Sequence, residues 1–267
     1  MPAMAAVTVS RAGPVALLEL ARPDTGNALE AALVAELTAA VSGAAAGGAR
    51  ALVLAGAGRH FCTGANLREL EALNTASDAD RLADAARLAA AYAALLRCPL
   101  LTVAAVHGAA YGGGLGLAAA CDVVIAAPDA RLQFSEVRLG FVPALISVFL
   151  PRRVTVARLA RLFLDPEPLD AAAALAVGLV DEVDPAPRER AIARAVAVAR
   201  KAAPSAIAET KRLLLATALP DLDARLAHAA RVNVTQRSHP ECRRGIAAVL
   251  AGAGFPSWLE DESHDTR

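Results

Sequence analysis

The stretch from Leu101 to Asp122, LTVAAVHGAAYGGGLGLAAACD, sets the strongest limits on the fold. An apolar run of strand type, Leu101 to Val106, precedes the glycine triplet Gly112 to Gly114, and a run of small residues suited to a helix follows. Three consecutive glycines are costly to order, because glycine loses the most backbone freedom on folding. The unpaired N–H groups at a helix N-terminus attract an anion, or an oxygen that becomes one. We therefore expect a strand-to-helix junction whose bare backbone approaches such a group closely.

Two other interpretations of this stretch remain open from these residues alone. Between Leu100 and Cys121 the chain has no acidic or basic residue apart from His107. This uncharged segment is long enough for a membrane span. The clustered glycines and the central His107-Gly108 favour two short buried elements instead. The second alternative is that the glycines only allow a helix to pack closely on a strand. For His107 a structural hydrogen bond is expected rather than a catalytic role.

Composition excludes several classes of protein. The 267 residues suit one large domain, or a core with a smaller appendage. Lys and Arg number 27 and Asp and Glu 27, so no charge pattern for nucleic acid or an anionic membrane is visible. The N-terminus lacks a signal-peptide pattern, and cysteines 62, 98, 121 and 242 lack the spacing of a zinc site or a disulfide framework. We expect a cytoplasmic protein without a metal or redox cofactor.

A second glycine-rich junction occurs upstream. A short apolar strand, Ala51 to Ala55, runs into the loop GAGRHFCTGANL, and a helix is predicted over Leu67 to Leu73. Two strand–glycine loop–helix junctions in one domain suggest two backbone N–H sites that converge on one atom. The charged helical stretch between them, Asp78 to Arg97, is typical of a solvated helix face.

The remaining pattern predicts a mixed α/β core and a helical tail. Asn27 is a plausible N-cap for a helix over Ala28 to Ala40, and Glu136 follows an apolar, strand-like piece. We place the boundary between a core, 1–195, and a helical region, 196–267, which is suited to packing on another subunit. The other predicted elements are a hairpin of Val7–Val9 with Val15–Leu20, strands Val123–Ala126 and Leu179–Val183, and helices Ala144–Leu150, Val154–Leu164, Leu169–Ala176, Ala191–Lys201, Ser205–Ala218, Asp223–Val234 and Cys242–Ala251.

Several motifs in one order give the chain a recognisable resemblance. They are LARPDTGNAL from Leu20, FCTGANL from Phe61, HGAAYGGG from His107, Cys121-Asp122, SEVRLG from Ser135 and GLVDEV from Gly178. On these the chain resembles the crotonase (enoyl-CoA hydratase/isomerase) superfamily. The resemblance implies an α/β fold built as a spiral of ββα repeats, with a helical C-terminal region that forms a homotrimer or a dimer of trimers. It also implies an acyl-CoA thioester substrate, with coenzyme A as part of that substrate and no separate cofactor.

The resemblance also assigns roles to residues. The two backbone N–H groups that hold the thioester oxygen are implied to be those of Ala65 and Gly113, and Glu136 resembles the second of two catalytic glutamates. The first glutamate falls at Gly116, which has no side chain. Lys211 is a weaker candidate for the coenzyme A phosphates. The implied substrate-binding residues are Arg22, Cys62, Gly64, Asn66, Leu67, Tyr111, Gly112, Gly116 and Leu139.

Three functions fit this pattern. The favoured one is an enoyl-CoA hydratase that works with a single glutamate, because Glu136 to Ser147 and the GGGLGL run are similar to bacterial methylglutaconyl-CoA and isohexenylglutaconyl-CoA hydratases. The substrates of those hydratases bear a second carboxylate, for which Arg68 and Arg138 are candidate partners, although a surface role is expected of each arginine. The alternatives are a Δ3-Δ2-enoyl-CoA isomerase, for which one base is chemically sufficient, and a catalytically silent acyl-CoA-binding protein.

Overall fold

The computed structural model describes residues 5–259. Within that range the strands are β1 (Val7–Ala12), β2 (Val15–Leu20), β3 (Ala51–Gly56), β4 (Leu101–Val106), β5 (Ala109–Tyr111), β6 (Val123–Ala126), β7 (Arg131–Gln133), β8 (Leu169–Asp170) and β9 (Glu182–Val183). They form a six-stranded sheet in the order β1-β2-β3-β4-β6-β9 and a three-stranded sheet in the order β5-β7-β8.

The large sheet is antiparallel only at its first pair. β1 and β2 pair with Ala12 opposite Val15, so the predicted hairpin is confirmed, with Gly13 in the turn at φ 59°. All later neighbours in this sheet are parallel. Strand β3 is buried at every position, as expected of a parallel strand covered on both faces.

Eleven helices are formed within residues 5–259. The last four follow β9, so the expected helical C-terminal region is present, and one of them, α8, packs its Ala191 and Ala195 on one face of the large sheet. The helices are α1 (Ala31–Ala46), α2 (Leu67–Ala72), α3 (Asp78–Arg97), α4 (Gly113–Ala120), α5 (Ala144–Ser147), α6 (Val156–Leu164), α7 (Ala171–Val177), α8 (Pro187–Lys201), α9 (Pro204–Ala218), α10 (Leu222–Arg237) and α11 (Pro240–Leu250).

A repeated unit connects the two sheets. β4 belongs to the large sheet, β5 to the small one, and α4 follows directly; β6 and β7 repeat the two strand positions. The chain after β3 follows the same pattern. Before α2 begins, Cys62 forms an isolated parallel bridge with Ala110 of β5. The expected α/β fold of ββα repeats is confirmed, and it brings the loops that follow β3 and β5 side by side.

The membrane alternative for the 101–122 stretch is wrong. That stretch divides into β4, β5 and α4, and no helix within residues 5–259 is long and apolar enough to cross a bilayer.

The structural role expected of His107 is borne out by geometry, since its Nε2 lies 2.9 Å from the carbonyl oxygen of Gly58.

Asn27 does not cap a helix, and the prediction that it does is wrong. α1 begins at Ala31, and Glu30 holds the N-cap position. Asn27 is fully buried with φ 56°, and its amide donates to the carbonyls of Ala57 and His60 at 2.9 and 2.8 Å. These partners lie on the loop after β3, so Asn27 joins two loops across the domain.

Other boundaries also differ from the predictions. Leu169 and Asp170 pair with β7, which shortens the predicted helix there to α7, and the helix predicted over Ala144–Leu150 ends at Ser147. The solvated face predicted for α3 is only part of that helix. Asp84 pairs with the buried Arg237 of α10 at 2.9 Å, because α3 and α10 pack together.

Candidate active site

Glu136 lies at the start of a single 3₁₀ turn, residues 136–139, directly after β7. Its side chain is buried, and Oε2 has no hydrogen-bond partner among the described residues. Burial removes water from the carboxylate and raises the pKa of Glu136 to about 7. A carboxyl group with such a pKa accepts and returns a proton near neutral pH, as acid–base catalysis requires.

The two glycine-rich loops are joined by backbone hydrogen bonds. The N–H of Cys62 donates to the carbonyl of Ala109 at 3.1 Å, and the N–H of Tyr111 donates back to the carbonyl of Cys62 at 3.0 Å. A Cβ on Gly64, which has φ 91°, would lie 2.8 Å from the carbonyl oxygen of Tyr111 and 3.9 Å from the nitrogen of Gly113. Glycine at position 64 is therefore required for this close approach.

The N–H groups of Ala65 and Gly113 lie on these adjoining loops, and neither donates to another group among residues 5–259. Gly113 is the first residue of α4, and Asn66 caps α2, accepting from the N–H groups of Arg68 and Glu69 at 3.0 and 3.3 Å. Both N–H groups thus precede or begin a helix. Two unpaired donors in such a position suit an oxygen that gains negative charge.

The packing interpretation of the glycine triplet can be checked at Gly112 and Gly114. A Cβ on Gly112 would lie 3.0 Å from Oε1 of Glu136, and one on Gly114 would lie 2.5 Å from the carbonyl oxygen of Cys62. Gly112 therefore admits the carboxyl group, whereas Gly114 allows α4 to pack on the neighbouring loop. Close packing therefore accounts for Gly114, whereas the expected ligand site beside Gly112 and Gly113 stays a prediction.

A cavity of about 720 Å³ contains this arrangement. Apolar side chains from α3, α5 and α11 form much of its wall, including Leu88, Ile146 and Ile246, and Arg68 and Asn233 are among its polar residues. Nine of the twelve residues predicted from the sequence line it. They are Gly64, Ala65, Asn66, Leu67, Tyr111, Gly112, Gly113, Glu136 and Leu139.

Arg22, Cys62 and Gly116 lie outside the cavity wall. The guanidinium of Arg22 donates to the carbonyls of Ala5 and Ala21. Cys62 is fully buried, which raises the pKa of its thiol to about 12, and it serves the site through its backbone. A Cβ on Gly116 would lie 2.5 Å from Cγ2 of Ile146, so this glycine is a packing position.

Lys211 also lies outside the wall of this cavity. Its ammonium group donates to Asp122 and, at 2.7 Å, to the carbonyl of Leu100. The structure thus gives this lysine partners in the protein instead of a place at the candidate site.

Tyr92 of α3 is the residue that sequence reasoning missed. It lines the cavity, and its hydroxyl donates to the carbonyl of Gly113 at 2.9 Å. A signal was present, because Ala85, Ala89, Tyr92 and Leu96 recur at helical spacing within the charged stretch and are all buried.

Comparisons with known proteins agree with one another. The family model described as enoyl-CoA hydratase/isomerase matches residues 10–252. The chain is 38% identical over 244 residues to a probable enoyl-CoA hydratase of Rhodobacter capsulatus, covering 88% of this chain and 91% of that protein. It is similar to crystal structures of an enoyl-CoA hydratase from Mycobacterium avium (TM-score 0.83, 30% identity, 96% and 99% of the two chains) and of one from Bacillus halodurans (TM-score 0.85, 25% identity, 91% and 99%).

Proposed function

The chain belongs to the enoyl-CoA hydratase/isomerase family, and from this premise we propose that it adds water across the double bond of a 2-enoyl-CoA. The observation that carries the proposal is the carboxyl group of Glu136, which is buried, lacks a partner on Oε2 among the described residues and sits against Gly112. It stands in the same cavity as the two unpaired N–H groups. A proton-transfer group and an oxyanion site are the two parts that this addition needs.

In the proposed reaction the N–H groups of Ala65 and Gly113 hold the thioester oxygen. The carboxylate of Glu136 accepts a proton from water while the water oxygen bonds to C3, and the double-bond electrons move onto the thioester as an enolate. Glu136 then returns the proton to C2. The hydroxyl ends on C3 and the hydrogen on C2, so one water is consumed. Losing one oxyanion donor typically costs ~10²–10³ in rate.

The cavity wall supports a place for the substrate. Gly64, Asn66, Leu67, Tyr111, Gly112 and Leu139 are proposed to contact the thioester and its pantetheine arm, since all line the cavity beside the two donors. Coenzyme A enters as part of the substrate and no other cofactor is proposed. A homotrimer or a dimer of trimers remains our proposal for the assembly, with α9 presenting the exposed side chains of Leu213 and Leu214.

A glutaconyl-type substrate would carry a second carboxylate. Arg68 lines the cavity and is exposed, so it is proposed as the partner of that group. Arg138 is instead engaged by the ring of Phe255, with its guanidinium carbon 3.9 Å from the ring centroid. Comparison of turnover in wild type and Arg68→Ala tests the assignment: a loss for 3-methylglutaconyl-CoA with crotonyl-CoA unaffected supports it, and equal effects contradict it.

A second candidate is a Δ3-Δ2-enoyl-CoA isomerase, and the surroundings of Gly116 favour it. The position of the family's first glutamate has no room for a side chain, so Glu136 is left to work with a single carboxyl group. An isomerase needs only one base, which removes a proton at C2 and returns it at C4 while the oxyanion site holds the dienolate.

One experiment separates these functions. The purified protein is incubated with crotonyl-CoA, 3-methylglutaconyl-CoA and a 3-enoyl-CoA. The products are identified by mass and, for isomers of equal mass, by chromatographic comparison with the 2-enoyl-CoA standard. Gain of one water supports the hydratase, and a shifted double bond at unchanged mass supports the isomerase. Binding of all three without any product contradicts both and favours a silent acyl-CoA-binding protein.

Glu136→Gln is assayed in parallel with Glu209→Gln. The first substitution should lower turnover by ~10²–10⁴ while thioester binding is nearly unchanged. Glu209 lies exposed on α9 in an ion pair with Arg212, so the second substitution should leave turnover as it is. Full activity of Glu136→Gln would overturn the assignment of this residue.

A further inference from the structure

Tyr92 is an aromatic side chain without solvent exposure, and it reaches the candidate site from α3. Its ring packs on Phe149 with centroids 5.0 Å apart. Its hydroxyl donates to the carbonyl of Gly113, which lies 21 residues further along the chain. This hydrogen bond therefore connects two helices at the point where α4 begins.

The peptide that carries the Gly113 N–H is held at its other end, where the carbonyl of Gly112 accepts from the N–H of Gly116 at 3.0 Å. The hydroxyl of Tyr92 adds a restraint on the next peptide, at the Gly113 carbonyl. Gly113 sits between two other glycines, and glycine restricts the backbone less than any other residue. No side chain of the triplet is available to fix the direction of its N–H. The hydroxyl of Tyr92 restrains the carbonyl on one side of the Gly113 Cα, and through that Cα it restrains the N–H on the other side.

The hydroxyl of Tyr92 also packs against two glycines of α4, Gly113 and Gly116. A Cβ on Gly116 would lie 2.9 Å from the Tyr92 oxygen, and a Cβ on Gly113 would lie 3.0 Å from it. The oxygen thus stands beside both positions, one turn of α4 apart. Ring and hydroxyl occupy the space that a longer side chain at position 116 would need.

The electrostatic surroundings keep this hydroxyl a donor. Burial raises the pKa of Tyr92 well above its ordinary value, and the nearby carboxylate of Glu136 raises it further. The phenol accordingly stays protonated throughout the pH range in which an enzyme of this kind is assayed.

We propose that Tyr92 is a positioning residue, which holds the Gly113 carbonyl and, through the Gly113 Cα, keeps the Gly113 N–H pointed at the thioester oxygen of the substrate. The inference rests on the proposed function of this cavity. Tyr92 itself transfers no proton and forms no bond with the substrate in this account. Its contribution passes through the direction of one backbone N–H group.

Tyr92→Phe tests the proposal, because it removes the hydroxyl and keeps the ring that packs on Phe149. We expect kcat for the 2-enoyl-CoA substrate to fall about tenfold, as the loss of one hydrogen bond to a neutral group allows. KM should change by less than about twofold, since the ring still fills the cavity wall.

A spectroscopic measurement distinguishes a misdirected Gly113 N–H from a general loss of protein stability. Butyryl-CoA carrying ¹³C at the thioester carbonyl has no double bond to hydrate and serves as the probe. Isotope-edited infrared difference spectra should show its carbonyl stretch at a higher wavenumber in Tyr92→Phe than in wild type, because a misdirected N–H polarises the carbonyl less.

Thr102→Val is the matched control. It also removes a fully buried hydroxyl, one that bonds to Asp122 at 2.9 Å, but it lies outside the cavity wall. It should lower Tm while kcat and the carbonyl stretch keep their wild-type values.

The outcomes distinguish this inference from the proposed function. Turnover in wild type together with an unchanged kcat and carbonyl stretch in Tyr92→Phe overturns the role of Tyr92 and leaves the function standing. A carbonyl shift between the two proteins, with no turnover of any enoyl-CoA, supports the positioning role and overturns the function. Failure of wild type to bind butyryl-CoA overturns both.

Discussion

The carboxyl group of Glu136 lies against the bare Cα of Gly112, so closely that a Cβ at position 112 would stand 3.0 Å from Oε1. Gly112 also has φ 47°, a conformation that L side chains rarely adopt. The first glycine of the triplet therefore makes room for the Glu136 carboxyl group, whose position depends on the absence of a side chain there.

Gly112→Ala is expected to displace this carboxyl group. The methyl group would press on Oε1, and kcat should fall by more than about tenfold, since small displacements of a catalytic group are costly. The matched control is Gly13→Ala, which has φ 59° and no atom within 4 Å of the new Cβ. Both variants should lose roughly 1–3 kcal/mol of stability from backbone strain, and only the first should lose activity. Equal kcat values for the two variants would contradict this account.

The pH dependence of turnover should report Glu136 directly. The proposed reaction begins with the carboxylate, whose pKa burial raises to about 7. The value of kcat/KM should rise with pH to a plateau with a midpoint near 7, and this step should vanish in Glu136→Gln. A midpoint near the ordinary value of 4.5 would show that the carboxyl group is solvated in the working enzyme.

The same shift predicts a pH-dependent effect on stability. The folded protein holds the Glu136 proton more tightly than the unfolded chain, so the free energy of unfolding falls as pH rises from about 4.5 to about 7. Glu136→Gln removes this cost of an ionised buried carboxylate. It should raise the free energy of unfolding by on the order of 3 kcal/mol at pH 8 and have little effect at pH 4. Urea unfolding of both proteins at the two pH values measures the difference, and a pH-independent difference would exclude this linkage.

Local patterns in the sequence singled out residues that the structure places in one cavity. Each junction at Ala65 and Gly113 is a strand, a glycine-rich loop and a helix in direct succession, so the neighbouring residues contain the signal. Glu136 was also predicted from the residues next to it, in the SEVRLG motif that begins at Ser135. The chain between β3 and α2 pairs with β5 through Cys62 and Ala110, which places the two loops side by side.

Contacts between distant parts of the chain could not be predicted in this way. Tyr92 meets Gly113 only because α3 packs beside α4, and no spacing in the sequence encodes that approach. The start of α1 was misplaced for a similar reason. Asn27 is held at positive φ by carbonyls 30 and 33 residues away, a contact that overrides its local preference for a helix N-cap.

Gly116→Ala should lower stability because the new methyl group would overlap Ile146 and press on Tyr92. Overpacking of this kind costs roughly 1–3 kcal/mol. Adding Ile146→Ala should restore part of the loss, which a double-mutant cycle measures as coupling between the two positions. Gly43→Ala in α1 is the control, with open space around the new Cβ, and it should stabilise by up to about 1 kcal/mol. Additive effects of Gly116→Ala and Ile146→Ala would contradict the overlap.

Asn27→Ala should be among the most destabilising substitutions outside the core. It leaves the buried carbonyls of Ala57 and His60 without their donor and the N–H of Arg22 without its acceptor, and it places alanine at positive φ. A loss of roughly 2–4 kcal/mol is expected, measured by urea unfolding. Were Asn27 only a helix cap, Asn27→Ser would preserve stability, because serine caps equally well. We expect Asn27→Ser to be nearly as unstable as Asn27→Ala, since a hydroxyl cannot donate to two carbonyls at once.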